Sequence, residues 1–529
     1  MHKKLLGLMI SGMLCIIATT SCSKKADSHP NDMIRVDTGS EVPTLDPTLS
    51  EDTSSTRIAF DLFAGLVDFD QHNKIIPGMA SSWNISPDGR VYTFHLRKGL
   101  KFSDGSPITA NDFVYTFRRL VDPKVASPYN MLIANVVNAK DIIDNKASLD
   151  TLGVSAPDPL TFVVKLVNPD AAFIQAIHLP NTMVVSEKAI EKYGTHWTEP
   201  ANIVTSGAYT IKEHVINGYI LAVKNPNFWD SANVNIPKIK YLPYEDKNAT
   251  IPAYRSGGID VTFQGIPIDQ FSKIKQEYPK ELHVFLQEAI YYYDFSWNNP
   301  ELAKNPKLRQ ALSMAIDREI FTKKVLRMDQ APLYSTVTST VEDGKFKGID
   351  YEWAKWPREK QIEEAKRLYK EAGYGPNKEY HASLSYNTND LHKKTALAIA
   401  SMWKSVLGVD TSLQNQEWKT FLQTRHKGDY QIARDGWVAD YNSVTTYTAL
   451  YQCNNGQNNS HYCNPQFDKL LAQANSEKDS KKQTELYRQA LQIPLDDYAV
   501  IPLFQYTIQV LVKPYVLSFN PDVNHLYHI

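Results

Sequence analysis

The strongest constraint on this chain is the regular exchange of helical and extended patterning between residues 357 and 434. Residues 357–372 read as a helix stopped by Gly373, and 380–386 as a strand. Asn389 then caps a helix that carries Ala396, Ile399, Ala400, Trp403 and Leu407 on one face and ends at Gly408. Residues 409–413 read as a strand, 417–426 as a helix and 430–434 as a strand. Helices and strands exchanged at this interval bury their apolar faces against one another, which selects α/β layering around a mixed sheet.

The flanking segments extend the pattern. Near the N-terminus IRVDTG reads as a strand and residues 56–65 as an amphipathic helix ended by glycine. Residues 91–96 alternate as a strand behind the turn Pro87-Asp88-Gly89, and Thr109 caps a helix over 110–120 with Phe113, Phe117 and Leu120 as its stripe. Residues 161–166 and 205–212 are further strands, and 253–263 read as a helix end, a Gly-Gly turn and a strand. A tyrosine-rich strand at 289–294 leads to Asn305 and Pro306, which cap and open a helix over 307–326. Residues 465–474 and 481–491 are helical, and 499–512 are rich in strand formers. A chain of 529 residues exceeds one core, so two or three domains are expected, with a large distal one beginning at the tyrosine run.

Composition excludes several classes. With 43% hydrophobic and 22% charged residues the chain is an ordinary soluble protein, and a formal charge of −1 offers no basic surface for nucleic acid. Basic residues at positions 2–4, an apolar run over 5–18 too short to span a bilayer, and small residues up to Cys22 make 1–22 a signal peptide. The box Thr19-Thr20-Ser21-Cys22 is of lipoprotein type, which predicts lipid on Cys22 and a polar tether over 23–32. No later apolar run reaches membrane-spanning length, so the chain is not itself a channel. In the oxidising compartment beyond the membrane, Cys453 and Cys463 remain to close a disulfide around NNGQNNSHY; with His461 they would alternatively offer zinc three ligands. No serine elbow, zinc helix, phosphate loop or dinucleotide fingerprint occurs, so neither enzyme nor cofactor is expected.

The chemistry gathers in residues 416–442, QEWKTFLQTRHKGDYQIARDGWVADYN, which bring together Trp418, Arg425, His426, Arg434, Trp437 and Asp440. Buried charges must be paired, so the stretch is either a structural ion-pair cluster or a site for a ligand with charged ends. With YNTNDLHKK at 386–394, the motifs QEWKTFLxTRH and ARxGWxADYN closely resemble the periplasmic oligopeptide-binding proteins, the solute-binding subunits of ABC importers. The likeness runs from about residue 34 to the C-terminus.

This resemblance implies a two-lobed periplasmic binding protein fold of type II, cluster C-like with an extra domain. Domain I would comprise 33–64, 188–288 and 508–529, domain II 65–187 and domain III 289–507, with two crossing strands as the hinge. It implies a periplasmic monomer that takes short peptides to a transient partner, an ABC permease; a dedicated murein-tripeptide receptor is the alternative. Asp440 would take the α-ammonium, and Arg434, Arg425 and His392 would receive carboxylates. Trp418 and Trp437 would line side-chain pockets, Glu51 and Tyr115 would lie along the cleft, and Tyr292 and Asp294 would contribute from the tyrosine run. Asp294 stands where relatives carry glutamate, and Ala289 and Val438 stand where enterobacterial relatives carry a cysteine pair.

Overall fold

The computed structural model describes residues 32–70, 74–170, 172–262, 265–477 and 479–517. The leader, Cys22, all of the tether except Asp32, and residues 518–529 lie outside them. Three of the buried apolar clusters are each organised by one sheet. In the first, Met33–Asp37 pairs in parallel with Lys238–Leu242, which continues antiparallel to Tyr219–Lys224 and Tyr209–Val215. Val36, Ile239, Tyr241 and Ala222 of that sheet pack against Ile58, Phe60 and Leu62 of helix Thr53–Leu62. In the second, Ala80–Ile85, Val91–Leu96, Thr161–Lys165 and Val154–Asp158 form an antiparallel sheet. Phe94 and Phe162 meet Phe113, Phe117 and Leu120 of helix Ala110–Val121, whose start is fixed by Thr109 N donating to Asp112 Oδ2 at 2.7 Å.

The third sheet has six strands, in the order Ala331–Pro332, Val500–Leu511, Leu282–Phe295, Ile432–Val438, His381–Asn387 and Asp410–Gln416. The first three pairings are antiparallel and the last two parallel. Parallel neighbours need crossovers, and these are helices Asp390–Leu407 and Trp418–Lys427. Local chemistry fixes both helices. Asn389 accepts from Leu391 N at 2.8 Å and Glu417 from Lys419 N at 3.0 Å. The second helix stops at Gly428, at φ +63°, where a Cβ would lie 2.5 Å from Asn298 Nδ2. Trp403 is wholly buried on the first helix, with Nε1 donating to Leu312 O at 2.8 Å.

Two strands join these cores. Residues 282–286 pair with 507–511, where Phe285, Ile508 and Val510 meet the first cluster, whereas 290–294 pair with 500–505 inside the third. The register is interrupted between Leu286 and Ile290 and again between Tyr291 and Tyr292. Ala289 and Val438 are direct cross-strand partners. Among the described residues no helix is long and apolar enough to cross a membrane.

Three expectations are corrected. The first helix spans Thr53–Leu62, because Asp52 caps it by accepting from Ser54 N and Ser55 N, and Phe63 rather than a glycine ends it. The helix expected over 307–326 breaks after Met314, since Asp317 caps a new start by accepting from Ile320 N at 2.9 Å. Of the strand expected near 259–263, Phe263 lies outside the described residues and the rest narrows to single bridges from Val261 to Val36 and to Val512. The replacement Trp403→Ala removes a fully buried indole from the third core and is predicted to cost about 3–5 kcal/mol; a calorimetric midpoint within a degree of wild type would contradict that placement.

Candidate functional site

Strand alternation sets the geometry. Successive side chains of Ile432–Val438 point to opposite faces, so Arg434 stands beside Tyr293 and Asp435 beside Tyr292. On the first face the Arg434 guanidinium lies 5.5 Å from the Tyr291 ring and Nη2 donates to Tyr506 Oη at 3.1 Å. On the second, Asp435 accepts from Arg425 Nη2 at 2.5 Å. Asp294 is buried beside this pair. Burial, reinforced by the Asp435 charge, pushes its carboxyl well above the usual range, while Arg425 and Asp435 pair with each other.

A cavity of about 280 Å³ lies between the first and third cores, with Tyr129 of the second at its edge. Glu51, His392, Trp418, Arg425, Arg434, Trp437 and Asp440 all border it. Three other expected residues do not. Tyr115 is half-buried against the first core, and Tyr292 and Asp294 sit behind the cavity wall in the Arg425–Asp435 group, both less than 5% exposed. In a run of three tyrosines a shift of one residue exchanges faces, and it is Tyr291 that shares the face of Arg434.

Asp440 is held by hydroxyls alone. Tyr129 Oη donates to its Oδ1 at 3.2 Å and Thr446 Oγ1 to its Oδ2 at 3.4 Å. Burial pushes its carboxyl up to about 7, against the opposing pull of those two hydroxyls. His392 is buried, and burial followed by the Arg434 charge holds its imidazole well below the usual value. It therefore presents one N–H and one lone pair. Trp437 Nε1 donates to Thr446 Oγ1 at 3.0 Å, which ties that indole to the Asp440 support. Asp52 Oδ2, His392 Nδ1, Arg425 Nε, Arg434 Nε and Asn459 Oδ1 are buried without hydrogen-bond partners among the described residues, and all five residues border this cavity. So many unsatisfied polar atoms around one space fit a polar occupant.

The Tyr129–Asp440 hydrogen bond separates the cavity from an outer groove of about 1160 Å³. Only Trp437 and Asp440 of the expected residues border that groove, so the smaller cavity is the candidate site. Contacts across it bring the lobes together. Glu51 Oε2 lies 2.9 Å from His426 Nε2, Asn248 Nδ2 donates to Asp390 Oδ2 at 2.9 Å, and Lys394 pairs with Asp269. Cys453 and Cys463 are joined as a disulfide, which removes the zinc alternative, and His461 Nε2 lies 3.1 Å from His426 O. Among the described residues no His, Cys, Asp and Glu cluster is placed to hold a metal ion.

Sequence reasoning missed Tyr129, Asp435, Thr446, Asn459 and Tyr506. Asp435 had the clearest signal, being a charge inside an apolar strand that must find a partner. Tyr129 had none, for it reaches Asp440 across 311 positions.

Comparison with known proteins places these features. Residues 74–459 match the family described as bacterial extracellular solute-binding proteins, family 5. The chain is 41% identical to the periplasmic oligopeptide-binding protein OppA of Salmonella typhimurium over 97% of its own length and 95% of the relative's. It superposes with a TM-score of 0.89 on Haemophilus influenzae OppA in complex with RPPGFSPFR, at 37% identity, covering 92% of this chain and 95% of that one. The Escherichia coli murein tripeptide binding protein MppA gives the same TM-score at 36% identity and the same coverage, whereas its unliganded open form gives 0.62. The arrangement of lobes is therefore not that of the open form. The match over residues 74–459 and the 41% identity along nearly the whole chain show that it belongs to the bacterial extracellular solute-binding proteins, family 5.

Proposed function

We propose that the chain captures short peptides in the 280 Å³ cavity and presents them to an ABC importer, without itself performing a reaction. The observation that carries this reading is the state of two charges. Asp440 and Arg434 face the same cavity, and neither makes an ion pair with a described residue. An extended segment rises about 3.3 Å per residue, so their backbones are at most about 20 Å apart, a span suited to the two ends of a short extended peptide. Asp440 would take the α-ammonium. Arg434 would take the carboxylate of one ligand length, and the neutral His392 would donate its N–H to another. Arg425 is committed to Asp435 and serves the wall instead. Trp418, Trp437 and Glu51 would surround side chains, and the unsatisfied atoms would meet the ligand's amides or bridging water.

In this reading residues 33–64, 188–288 and 508–529 form domain I, 65–187 domain II and 289–507 the second lobe. The crossing strands flex where their register is interrupted, and ligand bridging both sides shifts the population toward closure. Cys22 would anchor a monomer to the membrane by its lipid. A dedicated murein-tripeptide receptor is the second reading, favoured by the superposition on MppA.

Native mass spectrometry of protein purified without added ligand separates the two. A series of masses matching di- to pentapeptides is expected; a single discrete mass would favour the murein tripeptide, and a bare protein that takes up no peptide would remove both. Asp440→Asn is predicted to weaken free-amine peptides by about 2–5 kcal/mol while sparing N-acetylated ones, and titration calorimetry finding equal affinity would refute its role. A pH dependence follows as well. With its carboxyl near 7, Asp440 must release a proton to accept an ammonium below that pH. Affinity should fall about tenfold per unit below pH 7 and fall again above about pH 8, where the peptide's own α-amino group loses its proton, with the acid slope abolished in Asp440→Asn. The empty fold behaves oppositely: its raised carboxyl binds the proton more tightly than the unfolded chain does, so this contribution to stability is lost as pH rises from about 4 through 7.

A further inference from the structure

The disulfide-closed loop 453–463 meets three surroundings at once. It rests on its own lobe, where Trp297 N donates to Ser460 O and Tyr430 Oη to Asn459 O, both at 2.9 Å. It reaches the facing lobe, where Gln457 Nε2 donates to Pro128 O at 3.0 Å. Gly456 approaches so closely that a Cβ would lie 2.5 Å from the same Pro128 oxygen. It also borders the cavity through Gln457 and Asn459. Asn459 is only 7% exposed, and no described group donates to its Oδ1.

We propose that this loop couples ligand contact to closure: the Asn459 amide oxygen accepts an N–H from the ligand, while Gly456 and Gln457 seat on Pro128 of the opposite lobe. The proposal rests on the cavity being a peptide site, because a peptide amide or ammonium supplies the donor that Oδ1 lacks. The composition between the cysteines, NNGQNNSHY, would leave an untied loop many conformations. The disulfide restricts them and delivers the acceptor and the docking edge together. Glycine at 456 serves the closed arrangement alone, since Pro128 belongs to the other lobe and an alanine methyl would meet it only when the lobes come together.

The test uses the mature chain with trialanine and tetraalanine, together with analogues N-methylated at one amide in turn. Gly456→Ala is expected to leave the melting temperature of the empty protein unchanged. It should raise Kd at least about tenfold through faster dissociation and suppress the ligand-induced fall in radius of gyration seen by X-ray scattering. Asn459→Leu is expected to lose roughly tenfold on the parent peptide. One N-methyl analogue should bind wild type more weakly than its parent yet lose nothing further on Asn459→Leu, a result that a general loss of structure would not give. Wild-type affinity and compaction in both variants would overturn the coupling and leave the peptide reading intact. A wild-type chain that binds none of these peptides would overturn both.

Discussion

The architecture depends on one antiparallel pairing, that of Leu282–Phe295 with Val500–Leu511. Each strand runs long enough to lie in two cores, so the same backbone hydrogen bonds hold the lobes together and define the line about which they turn. Long paired strands are stiff where the ladder is regular and yield where it is interrupted. One interruption, between Leu286 and Ile290, falls between the stretches that meet the two cores, and the other, between Tyr291 and Tyr292, falls inside the third core.

The same strands govern the electrostatics. Because Arg434 and Asp435 are adjacent, they must face opposite ways. One guanidinium lies near Tyr291 with no carboxylate partner among the described residues, while Arg425 is matched by Asp435, with Asp294 buried beside it. A buried arginine with its counter-ion is a rigid part of the wall, and one without it is a reason for a ligand to enter.

Most regular elements were legible because they follow local chemistry. Asn389, Gly408, Thr109 and Gly428 bound their helices through capping that a sequence displays openly. The break after Met314 was hidden, since Asp317 looks like any helical surface residue until its carboxylate is seen capping Ile320. At the site, Trp418, Arg425, Arg434, Trp437 and Asp440 of one contiguous motif fall on one cavity while His426 of the same motif meets Glu51, whereas Tyr115, Tyr292 and Asp294 depend on register and on which layer covers each face. No periodicity within a tyrosine triplet decides which ring looks outward. Pairings across the lobes, such as Tyr129 with Asp440 and Pro128 with Gln457, have no signature in either partner alone.

The hydrogen bond from Tyr129 to Asp440 gives the empty site an occupant of its own. In the reading proposed for Asp440, a phenol from the facing lobe already stands where an arriving amine would bind, so ligand entry would be an exchange of donors, not the filling of bare charge. The lobes thus have a weak reason to meet even when nothing is held. The free energy of capture at this carboxylate would then be the difference between an ammonium and a phenol as its partners. Such an exchange compresses affinity and leaves release within easy reach, which suits a carrier that has to surrender its cargo.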